Sequence, residues 1–223
     1  MLEVHDLPPI EEEGDIIYKA LQADELEQTI SCLAMIFSEA EPMSRALKIT
    51  YDEMRGFSEL LCSKALNKRL SLIAKDSKTG EVVSFSLADD FREWPPEDVE
   101  RTNEKISSLL ALVNDLDDEY KNTRKMINRG EIFHLSFLGS CCHYQQRKIA
   151  TSLIEKHLQL ARMKGFSTAV AEVTGLASQH ILIDKFGFTE KVRIDYKSYV
   201  YHGVHIYEGI EDASSCILVE KQL

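Results

Sequence analysis

The sequence has little cysteine and a shortage of positive charge. Only five of its 223 residues are cysteine, an odd number, and none stands at the spacing of a zinc or redox motif. Lysine and arginine number 26 against 37 acidic residues, and the formal net charge of -11 argues against nucleic acid as a partner. These shortages predict reduced thiols in a cytoplasmic protein that holds no metal ion.

Long apolar runs are also missing, since no stretch approaches the roughly 18 residues that a membrane span needs. The first 14 residues contain Pro8, Pro9 and three successive glutamates, and they lack the apolar core of a signal peptide. We therefore predict a flexible acidic arm over residues 1–14 and a single domain over residues 15–223 that contacts no membrane. We expect a monomer or a homodimer.

Short apolar runs alternate with amphipathic segments along the rest of the chain. The predicted strands are residues 16–20, 70–75, 82–88, 132–138, 168–173, 192–201 and 216–219. Helical periodicity follows Asp24 and recurs at residues 50–66, 146–164 and 176–185. A charged, helix-favouring segment at about residues 94–130 predicts a helical insertion between the third and fourth strands. The order indicates an α/β fold with a mixed sheet flanked by helices.

A strand, a turn and a helix between residues 131 and 160 carry the clearest chemical signal. The turn reads Tyr144-Gln145-Gln146-Arg147-Lys148-Ile149-Ala150. A strand that enters a helix through such a turn directs several backbone N–H groups at one point, where the helix dipole favours an anion such as pyrophosphate. The same residues are also compatible with a basic, solvated helix start that binds nothing.

The turn resembles the acetyl-CoA motif of the GNAT superfamily, Gln/Arg-x-x-Gly-x-Gly/Ala, with Gln145, Lys148 and Ala150 at its first, fourth and sixth positions. The segment Phe186-Gly187-Phe188 is similar to the family's ending of the following helix. The resemblance implies a GNAT fold with about seven strands, and acetyl-CoA as cosubstrate. It also implies that the strand before the turn separates from its neighbour and binds the pantetheine arm through its backbone. Lysine stands where the family has glycine, whose missing Cβ allows a close approach to phosphate. The residues that the resemblance assigns to the cosubstrate are Phe137, Leu138, Gly139, Gln145, Gln146, Arg147, Lys148, Ile149 and Ala150.

Three further residues resemble functional positions of the arylalkylamine N-acetyltransferases. Glu41, followed by proline, resembles a glutamate of the insect enzymes and is expected to act as a general base through water. His134 matches the first of two strand histidines in the vertebrate enzymes, and Ser136 stands at the second. A hydrogen-bonded core histidine would give the same sequence. Ser178 resembles an insect serine and is a candidate donor of a proton to the leaving thiolate.

The resemblance implies acetyl transfer to a small primary amine, with an arylalkylamine as the expected acceptor. We expect Met43, Ser136 and Tyr196 to line the substrate pocket. A diamine or polyamine acetyltransferase is the alternative within the same chemistry. A non-catalytic acyl-CoA-binding module is another, because Lys148 replaces glycine and Ile183 stands near the position of the family's general-acid tyrosine. Acetylation of a peptide would need an open groove, which the insertion would cover.

Overall fold

A computed structural model describes residues 10–94 and 103–223 of the chain. The strands are β1 Glu11–Glu13, β2 Ile16–Ala20, β3 Leu72–Asp76, β4 Val82–Asp90, β5 Ile132–Ser140, β6 Thr168–Val173, β7 Thr189–Asp195 and β8 Ser215–Gln222. The α-helices are α1 Leu26–Ala40, α2 Pro42–Ala46, α3 Tyr51–Lys68, α4 Glu104–Asn122, α5 Ile149–Met163 and α6 Leu176–Gln179. A π-helical turn, His180–Lys185, continues α6. None of the described helices is both long and apolar enough to cross a membrane.

The strands form one mixed sheet in the order β1-β2-β3-β4-β5-β6-β8-β7. Neighbours are antiparallel except β5 and β6, which are parallel. Helix α5 packs on one face of the sheet, and α1, α3 and α4 cover the other. The expected mixed sheet flanked by helices is confirmed, with eight strands where about seven were expected.

The additional strand lies in the segment predicted as a flexible arm. Residues Glu11–Glu13 pair with β2, and the Nζ atom of Lys156 on α5 lies 2.8 Å from Oε1 of Glu13. Pairing and charge therefore order three glutamates that strand propensity alone disfavours. The rest of the predicted arm, residues 1–9, lies outside the described residues. Helix α4 lies between β4 and β5, within the segment predicted as an insertion, of which residues 95–102 are not described.

The junction between α1 and α2 holds Glu41 in an extended conformation, with φ -75° and ψ 127°. Proline at position 42 disfavours helical geometry in the residue before it, so α1 ends at Ala40. The same proline suits the first turn of a helix, and α2 begins there with Glu41 as its N-cap. The chain therefore turns sharply at this glutamate, whose side chain folds back over the start of α2.

Strands β5 and β6 separate after a short parallel pairing. Only Ile132, Phe133 and His134 pair with β6, although β5 continues to Ser140 along β4. Beyond His134 the edge of β5 that faces β6 is open. A register shift in the β4–β5 ladder gives β5 one extra residue, Ser136, at the start of the open part. This gap in the sheet positions the candidate site.

Candidate active site

A cleft of about 650 Å³ opens where β5 and β6 separate. It runs from the turn before α5, past the open edge of β5, to the α1–α2 junction and α4. Twelve of the residues expected from the sequence line it: Glu41, Met43, Ser136, Phe137, Leu138, Gly139, Gln145, Gln146, Lys148, Ile149, Ala150 and Ser178. Most of the sequence-predicted site therefore converges on one cavity.

The turn before α5 contains two residues in the left-handed conformation. Gln146 has φ 64° and Lys148 has φ 62°, and Lys148 is the N-cap of α5 without a side-chain hydrogen bond to the first helical turn. The hydroxyl of Tyr144 donates to Oδ2 of Asp76 at 2.8 Å and fixes the start of the turn. Ile149 and Ala150 at the start of α5 line the cleft, and the first N–H groups of a helix have no partner within it, so they are available to an anion.

The left-handed Lys148 accounts for the missing glycine of the motif. An L-residue pays roughly 1–2 kcal/mol for this conformation, a cost that glycine avoids. The turn nevertheless adopts the glycine-like geometry, and the Lys148 side chain contributes to the lining of the cleft. Lysine therefore changes the energy and the charge of the turn and leaves its backbone path intact.

Arg147 departs from the expected arrangement, because its guanidinium lies away from the cleft. It pairs with the carboxylate of Asp15 and lies 5.1 Å above the ring of Tyr144. Its charge is therefore neutralised at the surface by Asp15. Lys148 supplies the positive side chain that borders this end of the cleft.

Glu41 lies across the cleft from the turn, and its side chain caps α2. Its carboxylate accepts hydrogen bonds from the backbone N–H groups of Met43 at 3.0 Å and Ser44 at 2.6 Å. Only 7% of the residue is exposed. Burial raises the pKa of Glu41 above its ordinary value, against the lowering effect of Ser44 and Met43. A carboxylate at the wall of a cleft whose pKa is raised is suited to accept a proton.

Ser178 lies in the first turn of α6. Its hydroxyl donates to the backbone carbonyl of Gly175 at 2.9 Å, and the residue lines the cleft. Because the hydroxyl proton is already engaged, Ser178 must rotate before it can donate to a leaving group.

His134 is fully buried behind the cleft wall, between the rings of Phe91 and Trp94. Its Nε2 atom lies 2.7 Å from Oε2 of Glu172 on β6. Ser136 lines the cleft, and its hydroxyl donates to the carbonyl of Leu87 at 3.2 Å. His134 and Ser136 therefore have different surroundings, because the bulge at Ser136 interrupts the alternation of side chains along β5.

Tyr196 does not occupy the expected substrate pocket. The residue is fully buried, and its hydroxyl donates to the carbonyl of Thr174 at 2.7 Å. Strand β7 ends at Asp195, six residues before the predicted end of that strand. A turn follows, in which the N–H groups of Ser198 and Tyr199 bond back to Asp195 and Tyr196. Through this hydrogen bond Tyr196 contacts the residue that follows β6, and Tyr196 lies outside the cleft.

Three contributors to the cleft wall were not expected from the sequence. These are the apolar residues of α4, Trp94 and the carboxylate of Glu172. Glu172 is the one charged residue in the otherwise apolar strand Thr168–Val173. A charge in such a strand is unusual enough to have marked it as a candidate. The wall that α4 forms depends on tertiary packing and has no local signal.

Comparison with solved structures identifies the fold of this chain. No family model matches the chain, and no curated protein is recognisably similar in sequence. Among solved structures, the chain is similar to the C-terminal condensation domain of Ebony in complex with β-alanyl-dopamine, at a TM-score of 0.83 and 17% identity over 93% of this chain and 99% of that one. It is similar to arylalkylamine N-acetyltransferase 2 from Aedes aegypti, at a TM-score of 0.75 and 18% identity over 94% and 99% of the two chains. A Drosophila melanogaster polyamine N-acetyltransferase that forms N-acetylagmatine gives a TM-score of 0.70 and 17% identity over 94% and 100%. The chain has the GNAT fold.

The GNAT fold explains why the sheet opens between β5 and β6. In this chain the opening, the left-handed turn and the N-terminus of α5 lie along one cleft. Identities of 17–18% establish the fold alone, and the activity has to be argued from the residues of the cleft.

Proposed function

We propose that the protein is an N-acetyltransferase that uses acetyl-CoA to acetylate a small primary amine, with an arylalkylamine as acceptor. One observation carries the proposal: a single cleft joins an anion-binding turn at the start of α5 to the buried carboxylate of Glu41. The turn can bind the diphosphate of coenzyme A, and the carboxylate can accept a proton from an amine.

The donor half of the cleft fits a pantetheine thioester. The edge of β5 from Phe137 to Ser140 is open toward β6 and offers backbone groups of the kind that pair with an added strand. The N–H groups at the start of α5 and the ammonium of Lys148 can donate hydrogen bonds to the diphosphate. When bound, acetyl-CoA would supply the acetyl group as an activated thioester, and the residues of the chain hold and orient it.

The acceptor half provides a route for the proton of the amine. An alkylamine with a pKa of about 10 is almost fully cationic at neutral pH, and it must lose a proton to become a nucleophile. Glu41, whose pKa is raised by burial, accepts this proton directly or through water. Ser178, once its hydroxyl has turned away from Gly175, would be placed to donate a proton to the leaving thiolate and to regain one from solvent, which is also the alternative donor.

The walls of the acceptor half favour an aromatic amine. Phe37, Trp94 and Phe137 line the cleft, and ring centroids of Phe37 and Phe137 lie 5.2 Å apart. Two of the similar structures, named for an arylalkylamine N-acetyltransferase and for bound β-alanyl-dopamine, agree with this choice. The carboxylate of Glu172 favours a diamine or polyamine as the second candidate, in line with the polyamine N-acetyltransferase.

A thiol-release assay with acetyl-CoA and a panel of aromatic amines, diamines and polyamines tests the proposal. We expect turnover with aromatic amines, and a loss of roughly a hundredfold or more in kcat for Glu41→Gln. The N–H groups of Met43 and Ser44 donate to different oxygens of Glu41, and glutamine keeps one of these two acceptors, so α2 should keep part of its cap. Glu39→Gln is the matched control, because Glu39 is an exposed glutamate two residues away.

The pH profile separates a general base from a structural glutamate. Because the pKa of Glu41 is raised, the rate should rise with pH through that value as the carboxylate loses its proton. The glutamine variant should lack this rise, and Glu39→Gln should keep it. An unchanged rate in Glu41→Gln would remove Glu41 from the mechanism. A calorimetric titration without heat at millimolar coenzyme A would refute the whole proposal.

A further inference from the structure

Three buried ionisable side chains meet behind the acceptor half of the cleft. His134 comes from β5, Glu172 from β6 and Asp117 from α4. The side chains of His134 and Glu172 are 0% and 5% exposed, and Asp117 is 1% exposed. Such a group is costly to bury, and the proton transfer proposed for Glu41 makes no use of it.

The group holds one carboxylate charged and one carboxyl neutral. Burial and the neighbouring charge of Glu172 raise the pKa of Asp117 to about 10, so Asp117 carries its proton at neutral pH. Although burial opposes it, contact with His134 and with Asp117 keeps the pKa of Glu172 below its ordinary value. Glu172 is therefore an ionised carboxylate held in place by two neighbours.

Glu172 retains capacity for another hydrogen bond. A carboxylate offers about four acceptor positions, and the ring N–H of His134 fills one of them. Glu172 lines the cleft, and among the described residues no N–H or hydroxyl group is bonded to its Oε1 atom. The carboxylate is buried without the full set of donors that a charged group normally has.

Glu41 and Glu172 line the same cleft. Thr174, which follows the end of β6 and contacts Glu41, is two residues beyond Glu172. Two residues of extended chain span about 7 Å, so the backbone positions of Glu172 and Thr174 are separated by about the length of a phenylethylamine. An acceptor whose nitrogen lies near Glu41 could therefore extend its ring toward Glu172.

We propose that Glu172, which is hydrogen-bonded to His134 and lies near Asp117, is a substrate-binding residue that accepts a hydrogen bond from a hydroxyl group on the aromatic ring of the amine. This inference rests on the proposed function. A neutral hydroxyl fits better than a second ammonium, because Trp94 and apolar side chains of α4 also line the cleft, where a free cation would lose its hydration. The apolar wall residues of α4 are Leu109, Leu110 and Val113.

The test compares two amines that differ only in the ring hydroxyl, tyramine and phenethylamine. We expect the wild-type kcat/KM to favour tyramine by about tenfold or more, because the tyramine hydroxyl can donate a hydrogen bond to the charged carboxylate and phenethylamine has no such group. In Glu172→Gln the preference should fall to within about twofold, with kcat/KM for phenethylamine little changed. Asp117→Asn should keep the preference, because asparagine retains a donor and matches the neutral carboxyl. Glu208→Gln, at an exposed glutamate, is the control.

The outcomes separate this inference from the proposed function. Turnover of neither amine refutes the arylalkylamine acceptor and this inference with it, and turnover of a diamine in the same assay would leave acetyl transfer itself standing. Equal kcat/KM values of the wild type for both amines refute only the role of Glu172. This comparison uses the wild type alone, so it tests the inference even if Glu172→Gln fails to fold. A loss of activity toward a diamine such as putrescine in Glu172→Gln, with the tyramine preference unchanged, would assign the carboxylate to a second ammonium and overturn the inference.

Discussion

Replacing Lys148 by glycine should stabilise the protein. Lys148 is left-handed, at φ 62° and ψ 11°, and a Cβ in this conformation costs roughly 1–2 kcal/mol. Glycine removes this cost but gives the unfolded chain more freedom, which offsets about 0.4–1 kcal/mol. The net expectation for Lys148→Gly relative to Lys148→Ala is a gain of about 1 kcal/mol in the free energy of unfolding.

The alanine variant is the necessary reference, since both substitutions remove the ammonium and only glycine removes the Cβ. Urea unfolding gives the free energies, and thermal unfolding should show a difference of about 2–4 °C for a chain of this length. If Lys148→Gly is no more stable than Lys148→Ala, the left-handed conformation of this residue carries no strain, and the explanation for the altered motif is wrong.

The same variants measure how much the charge of Lys148 contributes to the affinity for coenzyme A. Lys148→Ala should bind coenzyme A several-fold more weakly than the wild type at low salt, because it lacks the ammonium near the diphosphate. This difference should shrink at high ionic strength. Equal affinities at low salt would show that the ammonium remains in solvent. Calorimetric titration at two salt concentrations provides the measurement.

Two further predictions concern residues outside the proton transfer. Arg147→Ala should leave the affinity for coenzyme A within about twofold of the wild type, because Arg147 is paired with Asp15. A calorimetric loss of tenfold or more would contradict this. His157 is fully buried, and burial lowers its pKa to about 3. Its contribution to stability is complete above pH 6.5 and should fall by about 1.4 kcal/mol per pH unit from there toward pH 3. Urea unfolding at pH 7.5 and 5.5 should show a smaller difference in His157→Gln, and equal differences would refute the assignment.

The donor side of the site was predictable from the sequence because its determinants are local. A strand, a turn and a helix that follow one another bring Gln145 and Ala150 to one place whatever the rest of the chain does. The proline after Glu41 likewise fixes the end of α1 by sterics within two residues. Such features survive the replacement of a motif glycine, as Lys148 demonstrates.

The contribution of α4 and the meeting of Asp117 with Glu172 were not predictable, because these residues meet only through tertiary packing. Asp117 and Glu172 are far apart in the sequence, and although a charge in an apolar strand marks Glu172, nothing local indicates that Asp117 lies beside it. Tyr196 shows the opposite error, since its strong strand propensity concealed a turn that begins at Asp195. Glu11–Glu13 became a strand against their propensity because a neighbouring strand and Lys156 were available.

The two halves of the cleft come from different segments of the chain. The turn end of the cleft is built by β5, the turn and α5, whereas α4 contributes Leu109, Leu110 and Val113 to the other end. Under the proposed function, substitutions at these three positions should change which amine is preferred without changing the affinity for coenzyme A. Exchange of this one helix would then offer a compact route to new acceptor preferences.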